Sequence, residues 1–421
     1  MRILMLSQAY PPIIGGEAQH VRTLSVELVS RGHDVAVVTL WYEGQAELEE
    51  DQGVRVYRIR CSTARIPWLF SHPERRRAPT FPDPEIVLAL RRIIKKERPE
   101  IVHAHNWLVY SFLPLKAWSG ARLVVTLHNY NLACAKVTLL RHDTLCEGPS
   151  FMKCLGCAAQ FYGPARGVPI FLSNWVMSKA ERGLVDMFLP NSQATAIGNG
   201  LVGGWLPFRV IPHFIPDDAG LQQGDAEPYL SQLPAGDYLL FVGGLGYLKG
   251  VDVLLRAYAG LTNAPPLVLI GYPVPNWSIE SVARPANVFV FQNWPRYAVM
   301  EAWRRSMLGL VPSIWPEPFG LVALEAMSAG RPVIASRTGG LIDIVVDGET
   351  GLLVQPRNPL ALQQAIERLL ADPDLRSRMG QAGMRKFREF QVSTLVPRFV
   401  QAYEDVLQQK AESSQRVGLM T

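Results

Sequence analysis

Residues 312–335 read PSIWPEPFGLVALEAMSAGRPVIA, and this stretch decides the fold predicted for the rest of the chain. It places two acids, Glu317 and Glu325, eight residues apart. Glu317 lies in a loop punctuated by proline and glycine, whereas residues 321–329 are good helix formers that end at a glycine. The short apolar strand 332–335 follows. One acid is therefore predicted just before a helix, and the other on it.

The start of that predicted helix is an anion-binding feature. The amides of Gly320, Leu321 and Val322 are expected to be unpaired donors of its first turn. Together with the helix dipole, such amides bind phosphate or sugar hydroxyls. Two carboxylates beside this helix start indicate a ligand that carries both phosphate and hydroxyl groups.

Length and charge narrow the classes of protein. The chain has 421 residues, more than one hydrophobic core usually holds, so we expect two domains of about 200 residues each. The net charge is +5, and the basic residues are scattered except at 75–77 and 91–96. This pattern weakly favours anionic ligands or a lipid surface over a nucleic-acid groove, and the sequence contains no nucleic-acid-binding motif.

The hydropathy of the chain bears on its location. The first twelve residues hold too short an apolar run for a signal peptide, and no stretch reaches the ~18 apolar residues that a spanning helix needs. We therefore expect a cytoplasmic protein, or one bound peripherally to the inner face of a membrane. A loop at 66–77, with Trp68 among apolar residues beside a basic cluster, can rest on an anionic membrane or hold a lipid-linked acceptor. The alternative is a surface loop whose aromatic residues pack on their own domain.

The first part of the chain predicts a strand–helix–strand unit with a glycine loop. Residues 2–6, 17–31 and 35–40 predict a strand, an amphipathic helix and a second strand, which form a βαβ unit. Gly15 and Gly16 lie between the first strand and the helix, where they would let the backbone approach a ligand. The alternative is a plain tight turn, in which glycine pairs are common.

Histidines follow the next two predicted strands. His103 and His105 stand at the end of one strand, and His128 stands at the end of the other. His103 and His105 point the same way on an extended strand, and His105 lies nearer the rim of the sheet. A lone histidine is usually structural, but the rim position favours His105 as a hydrogen-bonding or proton-handling group.

Four of the five cysteines fall within residues 134–157. Their spacing is Cys134-x11-Cys146-x7-Cys154-x2-Cys157, and the closing Cys-Leu-Gly-Cys predicts a tight chelating turn. Four thiolates suit a structural zinc ion, whose coordination positions would then all be filled. The other two spacings match no standard zinc finger, so unligated thiols and an iron–sulfur cluster stay open as alternatives.

A second βαβ unit follows a polar, turn-rich segment at 213–228, which is the interdomain linker by composition. Its parts are strand 238–242, loop 243–250, helix 251–261 and strand 267–270. Lys249, near the start of the helix, is placed to meet phosphate oxygens, and the alternative is a solvated helix lysine. No third glycine follows at the spacing of a dinucleotide fingerprint, so the sequence gives only weak support for NAD binding.

The last predicted elements are strand 351–354, helix 359–371 and an amphipathic helix 392–409, beyond which the chain is expected to fray. We predict an amino-terminal Rossmann-like domain over 1–212 that is completed by 392–421. The second Rossmann-like domain is predicted over 213–391.

Taken together, these motifs resemble the retaining glycosyltransferases of family 4. The resemblance covers nearly the whole chain through Gly15-Gly16, Arg98-Pro-Glu-Ile-Val-His-Ala-His105, Phe241-Val-Gly-Gly-Leu-x3-Lys249-Gly250, Glu317-Pro-Phe-Gly320, Glu325-Ala-Met-x-Ala-Gly330 and Asp347-Gly-x-x-Gly-Leu-Leu353. The Glu-x7-Glu block with its flanks is the specific part.

This resemblance implies the α/β architecture called GT-B. Two doubly wound, Rossmann-like domains would face each other across a cleft, with the C-terminal helix crossing back to the amino-terminal domain. It also implies a hexosyltransferase-like transfer from a nucleotide diphosphate sugar to a lipid-linked, glycan or small-molecule acceptor, with retention of configuration and no catalytic metal. The amino-terminal domain would bind the acceptor, and the other domain the donor.

The resemblance further implies roles for single residues. Glu325 would hold the ribose hydroxyls, and Glu317 hydroxyls of the donor sugar. Lys249 would neutralise the departing diphosphate, and His105 would stand near the reacting centre. The implied donor-binding set is Gly15, Gly16, Gly244, Lys249, Glu317, Phe319, Gly320, Leu321, Val322 and Glu325.

One position departs from the family, which usually has an arginine where this chain has Gly244. One of two cations expected on the diphosphate is thus missing. Because a charge-assisted contact is worth ~1.5–3 kcal/mol, either donor affinity is weak or another cation, Arg296 or Arg304, substitutes. The usual asparagine of the linker is also replaced, by His213.

Other functions stay open at this point. A sugar-nucleotide epimerase or a phosphorylase would share the two-domain architecture, although a phosphorylase should carry a lysine for pyridoxal phosphate in a different context. A non-catalytic sugar-nucleotide sensor is compatible with Gly244. The sequence does not set the donor base, the sugar, the acceptor, the linkage or the oligomeric state.

Overall fold

Buried apolar strands alternate with amphipathic helices along the chain and build two separate cores. The computed structural model describes residues 1–13, 15–65, 78–142, 144–217, 224–274, 277–282 and 284–418. Contacts divide the chain into an N-unit, Met1–Pro212 with Leu395–Thr421, and a C-unit, His213–Thr394.

The central parallel strands of the N-unit are largely buried along their length, as expected for parallel strands covered on both faces. The strands of the N-unit in the described chain are β1 (Arg2–Leu6), β2 (Asp34–Leu40), β3 (Leu48–Asp51), β4 (Val54–Ile59), β5 (Ile101–His105), β6 (Arg122–Leu127), β7 (Leu140–Arg141), β8 (Thr144–Leu145) and β9 (Met187–Pro190). The main sheet has the order β3-β4-β2-β1-β5-β6-β9, and β7 and β8 pair with each other. All its pairs are parallel except β3 with β4.

Helices connect these strands. Those of the described N-unit are α1 (Gly16–Ser30), α2 (Pro84–Glu97), α3 (Val109–Phe112), α4 (Lys116–Ser119), α5 (Phe151–Tyr162), α6 (Pro164–Leu184) and α7 (Gln193–Gly198). The order of the sheet reverses between β1 and β5, which is the switch point where open α/β sheets bind ligands. Gly15 follows β1 and His105 ends β5, so both lie at this switch point.

The C-unit repeats the plan. Its described strands are β10 (Leu239–Leu245), β11 (Leu267–Pro273), β12 (Val288–Gln292), β13 (Leu308–Val311), β14 (Val333–Ser336) and β15 (Gly351–Val354). All neighbours are parallel in the order β12-β11-β10-β13-β14-β15, so the switch point lies between β10 and β13. The loop after β10 carries Lys249, and the loop after β13 carries Glu317.

Helices also cover the C-unit sheet. Within the described residues they are α8 (Glu227–Leu230), α9 (Val251–Ala259), α10 (Arg296–Arg305), α11 (Leu321–Ser328), α12 (Leu341–Ile344), α13 (Pro359–Ala371), α14 (Pro373–Phe387) and α15 (Val392–Gly418). From Leu395 onward, α15 belongs to the N-unit. The predictions of a GT-B fold with two Rossmann-like domains and of a returning C-terminal helix are confirmed.

Local signals explain which bounds were predictable. The sequence predicts a helix over 84–97, and α2 has these bounds because Asp83 caps the Glu85 and Ile86 amides, Pro84 starts the helix, and Arg98 ends it in the left-handed region. The sequence also predicts a strand at 208–211, which is wrong, since Phe208 forms only an isolated bridge to Phe188 in the part of the chain that is described. The last helix also runs past its predicted end, to Gly418.

Candidate functional site

Lys249 and Glu317 meet at the switch point of the C-unit. Lys249 Nζ donates to Glu317 Oε1 at 2.5 Å, and the Ser313 hydroxyl donates to the same oxygen at 2.6 Å. Lys249 Nζ also lies 5.7 Å from the centre of the Trp315 ring. The Glu317 carboxylate is buried, whereas Lys249 keeps 30% of its side chain exposed. The amine is therefore the accessible half of this pair.

Two glycines let the backbones around this pair approach each other. Gly250 has φ 72°, and a Cβ there would lie 1.9 Å from the Pro312 carbonyl oxygen. Gly339 has φ 56°, and its Cβ would lie 2.1 Å from the Glu317 carbonyl oxygen, which accepts the Gly340 amide at 2.7 Å. Side chains at either position would push the loops apart, so these glycines fix the position of the pair.

Glu325 has its own cation. It projects from α11, and Arg296 Nη2, at the start of α10, lies 3.2 Å from its Oε1. Burial raises the pKa of the Glu325 carboxyl, while the charge of Arg296 and a hydrogen bond from Trp303 lower it. Arg304, the other candidate for a substitute cation, pairs with Glu301 on its own helix. Of the two arginines, Arg296 is thus the one beside a predicted donor-binding acid.

The predicted helix start is present. Helix α11 begins at Leu321, so the Leu321 and Val322 amides lie in its first turn. Its N-cap, Gly320, has φ 114° and supplies no side-chain cap. Phe319 is buried, with its ring 5.3 Å from that of His213 and 6.0 Å from that of Phe390. Burial lowers the pKa of His213 to about 4, so this histidine is a neutral packing partner of Phe319.

Gly244 has little room for a side chain. A Cβ there would lie 3.2 Å from Val274 and 3.3 Å from the Tyr272 ring. Tyr272 lies in the neighbouring strand β11, where it is the register partner of Gly244. An arginine at this position would require both neighbours to move.

The N-unit switch point starts with Gly15 and Gly16. Gly15 is the N-cap of α1, and a Cβ there would meet no atom within 4 Å. Two residues after Gly15, Glu17 accepts hydrogen bonds from Ser7 (3.1 Å) and from the Asn106 amide. Asn129 in turn donates to Asn106 at 3.1 Å. This polar chain links α1 to the ends of β5 and β6.

Four histidines gather beside this chain. His105 Nδ1 lies 2.7 Å from His128 Nε2, and the His20 ring stands edge-on to both, with centroids 6.1 and 5.4 Å away. The His103 ring lies 4.3 Å from that of His105. Because His105 and His128 are both buried, one ring must donate and the other accept at their contact.

His103 is held differently. Its Nδ1 lies 2.8 Å from the Tyr403 hydroxyl of α15, and its Nε2 lies 2.7 Å from the Thr126 hydroxyl. Burial, with a smaller effect of His128, lowers the pKa of His103 to about 3, so the ring is neutral. His103 is therefore a structural histidine that ties α15 to the sheet, and His105 is the one that ends the strand.

The four clustered cysteines line one cavity of about 30 Å³. The predicted chelating turn is wrong, since Cys154 and Cys157 lie on helix α5. No three His, Cys, Asp or Glu side chains in the described part of the chain are gathered so as to hold a metal ion. The zinc prediction is therefore not confirmed.

Several site residues were not predicted. Ser313, Trp315, His20 and the Glu17–Asn106–Asn129 chain stand out only once the strands are ordered. Ser313 and Trp315 do lie in the loop that carries Glu317, and proximity to that acid was the one available signal.

The predicted loop at 66–77 lies outside the described residues. Among the helices that are described, none combines the length and apolar character needed to cross a bilayer.

Comparison with known proteins gives matches to both units. Residues 14–196 match Glycosyltransferase Family 4, and residues 233–386 match Glycosyl transferases group 1. The D-inositol 3-phosphate glycosyltransferase of Acidothermus cellulolyticus is 35% identical over 341 residues, which cover 76% of this chain and 70% of that protein. A glycogen synthase of Mycobacterium tuberculosis is 28% identical over 429 residues, covering 96% of this chain and 94% of that protein.

The fold also matches solved structures. HepE of Anabaena, solved in complex with UDP-glucose, superposes with a TM-score of 0.68 at 16% identity, covering 96% of this chain and 99% of that one. At this identity the likeness concerns the fold alone.

Proposed function

This chain belongs to glycosyltransferase family 4, and we propose that it moves a sugar from a nucleoside diphosphate sugar to an acceptor with retention of the anomeric configuration. The Lys249–Glu317 pair at the C-unit switch point carries the proposal. A diphosphate needs a cation, and a sugar needs hydrogen-bond acceptors for its hydroxyls. The pair offers one of each, side by side.

The donor would lie along the C-unit. In this proposal Glu325 accepts the ribose hydroxyls, Lys249 and the α11 amides hold the diphosphate, and Glu317 accepts hydroxyls of the sugar. Arg296, which contacts Glu325, supports this arrangement as a second cation beside a proposed donor-binding acid, and it is our candidate to substitute for the arginine that Gly244 replaces. Bound UDP-glucose in the HepE structure is consistent with such a donor.

The environment of Glu317 favours a front-face reaction over a covalent intermediate. Its Oε1 already accepts from Lys249 and Ser313, and such hydrogen bonds lower the nucleophilicity of a carboxylate. The acceptor oxygen would bond to the anomeric carbon on the face that the leaving diphosphate vacates. The proton of the acceptor hydroxyl would pass to the leaving phosphate oxygen, giving the glycoside and a nucleoside diphosphate. Lys249 would stabilise the charge that develops there, so no catalytic metal is required.

The N-unit is proposed to bind the acceptor, with His105 near the reacting carbon. Exposed apolar side chains on α5 and α6, such as Met152 (73% exposed) and Val176 (63%), support a lipid-linked acceptor and peripheral contact with a membrane. Cosedimentation with anionic vesicles checks this. Equal recovery in the supernatant with and without vesicles would contradict it.

The experiment for the donor uses a panel of nucleoside diphosphate sugars. We expect one of them to raise the melting temperature and to be slowly hydrolysed in the presence of EDTA, with the free sugar appearing first by NMR as the same anomer that the donor carried. Wild type should bind the matching 2′-deoxynucleotide more weakly than the ribonucleotide. If Glu325→Ala binds the two nucleotides equally, the ribose hydroxyls contact Glu325. Stabilisation without hydrolysis or transfer would favour a sensor, and inversion of the anomer would overturn the retaining mechanism.

A further inference from the structure

A second site lies in the N-unit, away from the switch point. Its cavity is lined by Cys134, Cys146, Cys154 and Cys157, and none of these thiols is in a disulfide. They come from three segments: the loop after β6, the residue after β8, and helix α5. Thiols from separate segments share one cavity only if the fold places them there.

Backbone contacts hold these segments together. Cys154 and Cys157 are three residues apart on α5, so they lie on one face of that helix. The Cys146 amide donates to the Leu139 carbonyl at 2.8 Å, which ties the β7–β8 hairpin to the loop that begins at Cys134. This loop needs such a tie, because Val137, Leu139 and His142 all have positive φ, of 60°, 53° and 44°.

The charges around the cavity are of one sign. Lys136, Arg141 and Lys153 line it together with the cysteines, and no acid is among its described lining residues. Three cations would repel a bare metal ion, but they compensate the double negative charge of a metal held by four thiolates. The surroundings therefore fit a metal–thiolate complex better than four neutral thiols.

We propose that this cavity binds one zinc ion through the four cysteines. Zn²⁺ and four thiols would give a tetrathiolate complex of charge −2 and release four protons. In the structure Cys146 Sγ instead lies 3.5 Å from the Gly148 carbonyl oxygen, and Cys154 Sγ accepts the Ser150 amide at 3.4 Å. Both sulfurs thus contact backbone groups. A cysteine sulfur moves by rotation about one bond, and metal binding would exchange these weak contacts for bonds to zinc.

Such an ion would have a structural role. It would fix the strained loop against α5, immediately after the strand that ends beside His128. Because all four positions are filled by protein, it would not act on the substrate. The proposal does not depend on the donor chemistry, and loss of transfer activity alone would say nothing about it.

Elemental analysis of full-length protein, purified under reducing conditions without chelator, tests the proposal. We expect one zinc per chain in the wild type and less than a tenth of that in the Cys154→Ser/Cys157→Ser double variant. The matched control is Cys61→Ser, since Cys61 is a buried thiol of the same unit that contacts Thr63 and Asp83 and lies outside the cavity. Iron in place of zinc, or as much zinc in the double variant as in Cys61→Ser, would overturn the assignment.

A cobalt titration covers the case in which the double variant fails to fold. Wild-type protein stripped of metal should develop a sulfur-to-cobalt charge-transfer band that saturates at one equivalent of Co²⁺, and added Zn²⁺ should remove it. Stripped protein with four reactive thiols but no such band would sink the proposal.

Discussion

The two switch points differ in charge, although the units that carry them share one plan. In the N-unit the groups around His105 are buried and polar, and burial holds the neighbouring His103 neutral. In the C-unit each acid is paired with a cation, Glu317 with Lys249 and Glu325 with Arg296. The same fold thus presents a histidine cluster beside a hydrogen-bonded carboxylate, Glu17, in one copy and two acid–cation pairs in the other.

The difference in charge indicates which kind of ligand group each site can bind. A buried ion pair whose cation stays accessible is a site where an anionic ligand can take over the cation, leaving the acid to accept hydroxyls. A cluster of buried histidines offers directed hydrogen bonds and groups that can transfer protons. In the proposed function the C-unit recognises the charged donor and the N-unit orients the acceptor, and four variants test this division.

Glu317→Gln should have the largest effect. The amide keeps the shape but cannot carry the charge that pairs with Lys249, and it presents a donor where the sugar hydroxyls need an acceptor. We expect kcat/KM to fall ~10³-fold in a nucleotide-release assay. Glu301→Gln is the matched control, because Glu301 pairs with Arg304 on one helix of the same unit. Turnover within a factor of about two of wild type in Glu317→Gln would contradict the assigned role.

Lys249→Ala should follow, with kcat lowered ~10²-fold because developing charge on the leaving phosphate loses its cation. The variant also leaves Glu317 buried without its partner, so the melting temperature should be recorded alongside. Lys386→Ala removes a cation that pairs with the nearby Glu389 and serves as control. A rise in KM with unchanged kcat would mean that Lys249 binds the ground state and the transition state equally.

His128→Ala should cost less, ~10-fold in kcat with donor KM unchanged, since the side chain acts by orienting His105 across their 2.7 Å contact. His128→Gln should recover most of the loss, because its amide can still hydrogen-bond to Nδ1. If His128→Gln is folded but does not recover kcat, the imidazole of His128 has a direct role. His33→Gln, at the amino-terminal edge of the same unit, is the control.

The smallest effect concerns one buried carboxyl of the N-unit, that of Glu181. Glu181 is fully buried in α6, and burial raises the pKa of its carboxyl to about 8. Because this folded-state pKa lies above the unfolded value, the contribution to stability is complete below the unfolded pKa and is lost as pH rises through about 8. Between about pH 7 and 9 the free energy of unfolding should fall by about 1 kcal/mol more in wild type than in Glu181→Gln. Parallel denaturation curves for the two proteins over this range would show that Glu181 is ionised in the folded state.

Much of this molecule could be predicted where local signals were strong. The capping aspartate and proline of α2 set its first turn, and the Pro-Phe-Gly segment before α11 marked both the loop of Glu317 and the helix start. The Cys154–Cys157 segment was misjudged because a Cys-x2-Cys pair fits a turn or a helix equally well. The missed site residues, such as His20 and Ser313, are ordinary side chains whose role depends on neighbours far away in sequence.

The sequence by itself determined the two-unit plan and the residue types of the site, because hydrophobic periodicity, glycines and the Glu-x7-Glu spacing are local properties of the chain. Only the tertiary structure decided the partners. Strand order placed Lys249 against Glu317 across 68 positions of sequence, chose Arg296 over Arg304 as the cation beside Glu325, and filled the space over Gly244 with Tyr272. Such pairings depend on which strands become neighbours at a switch point, and no spacing along the chain records that.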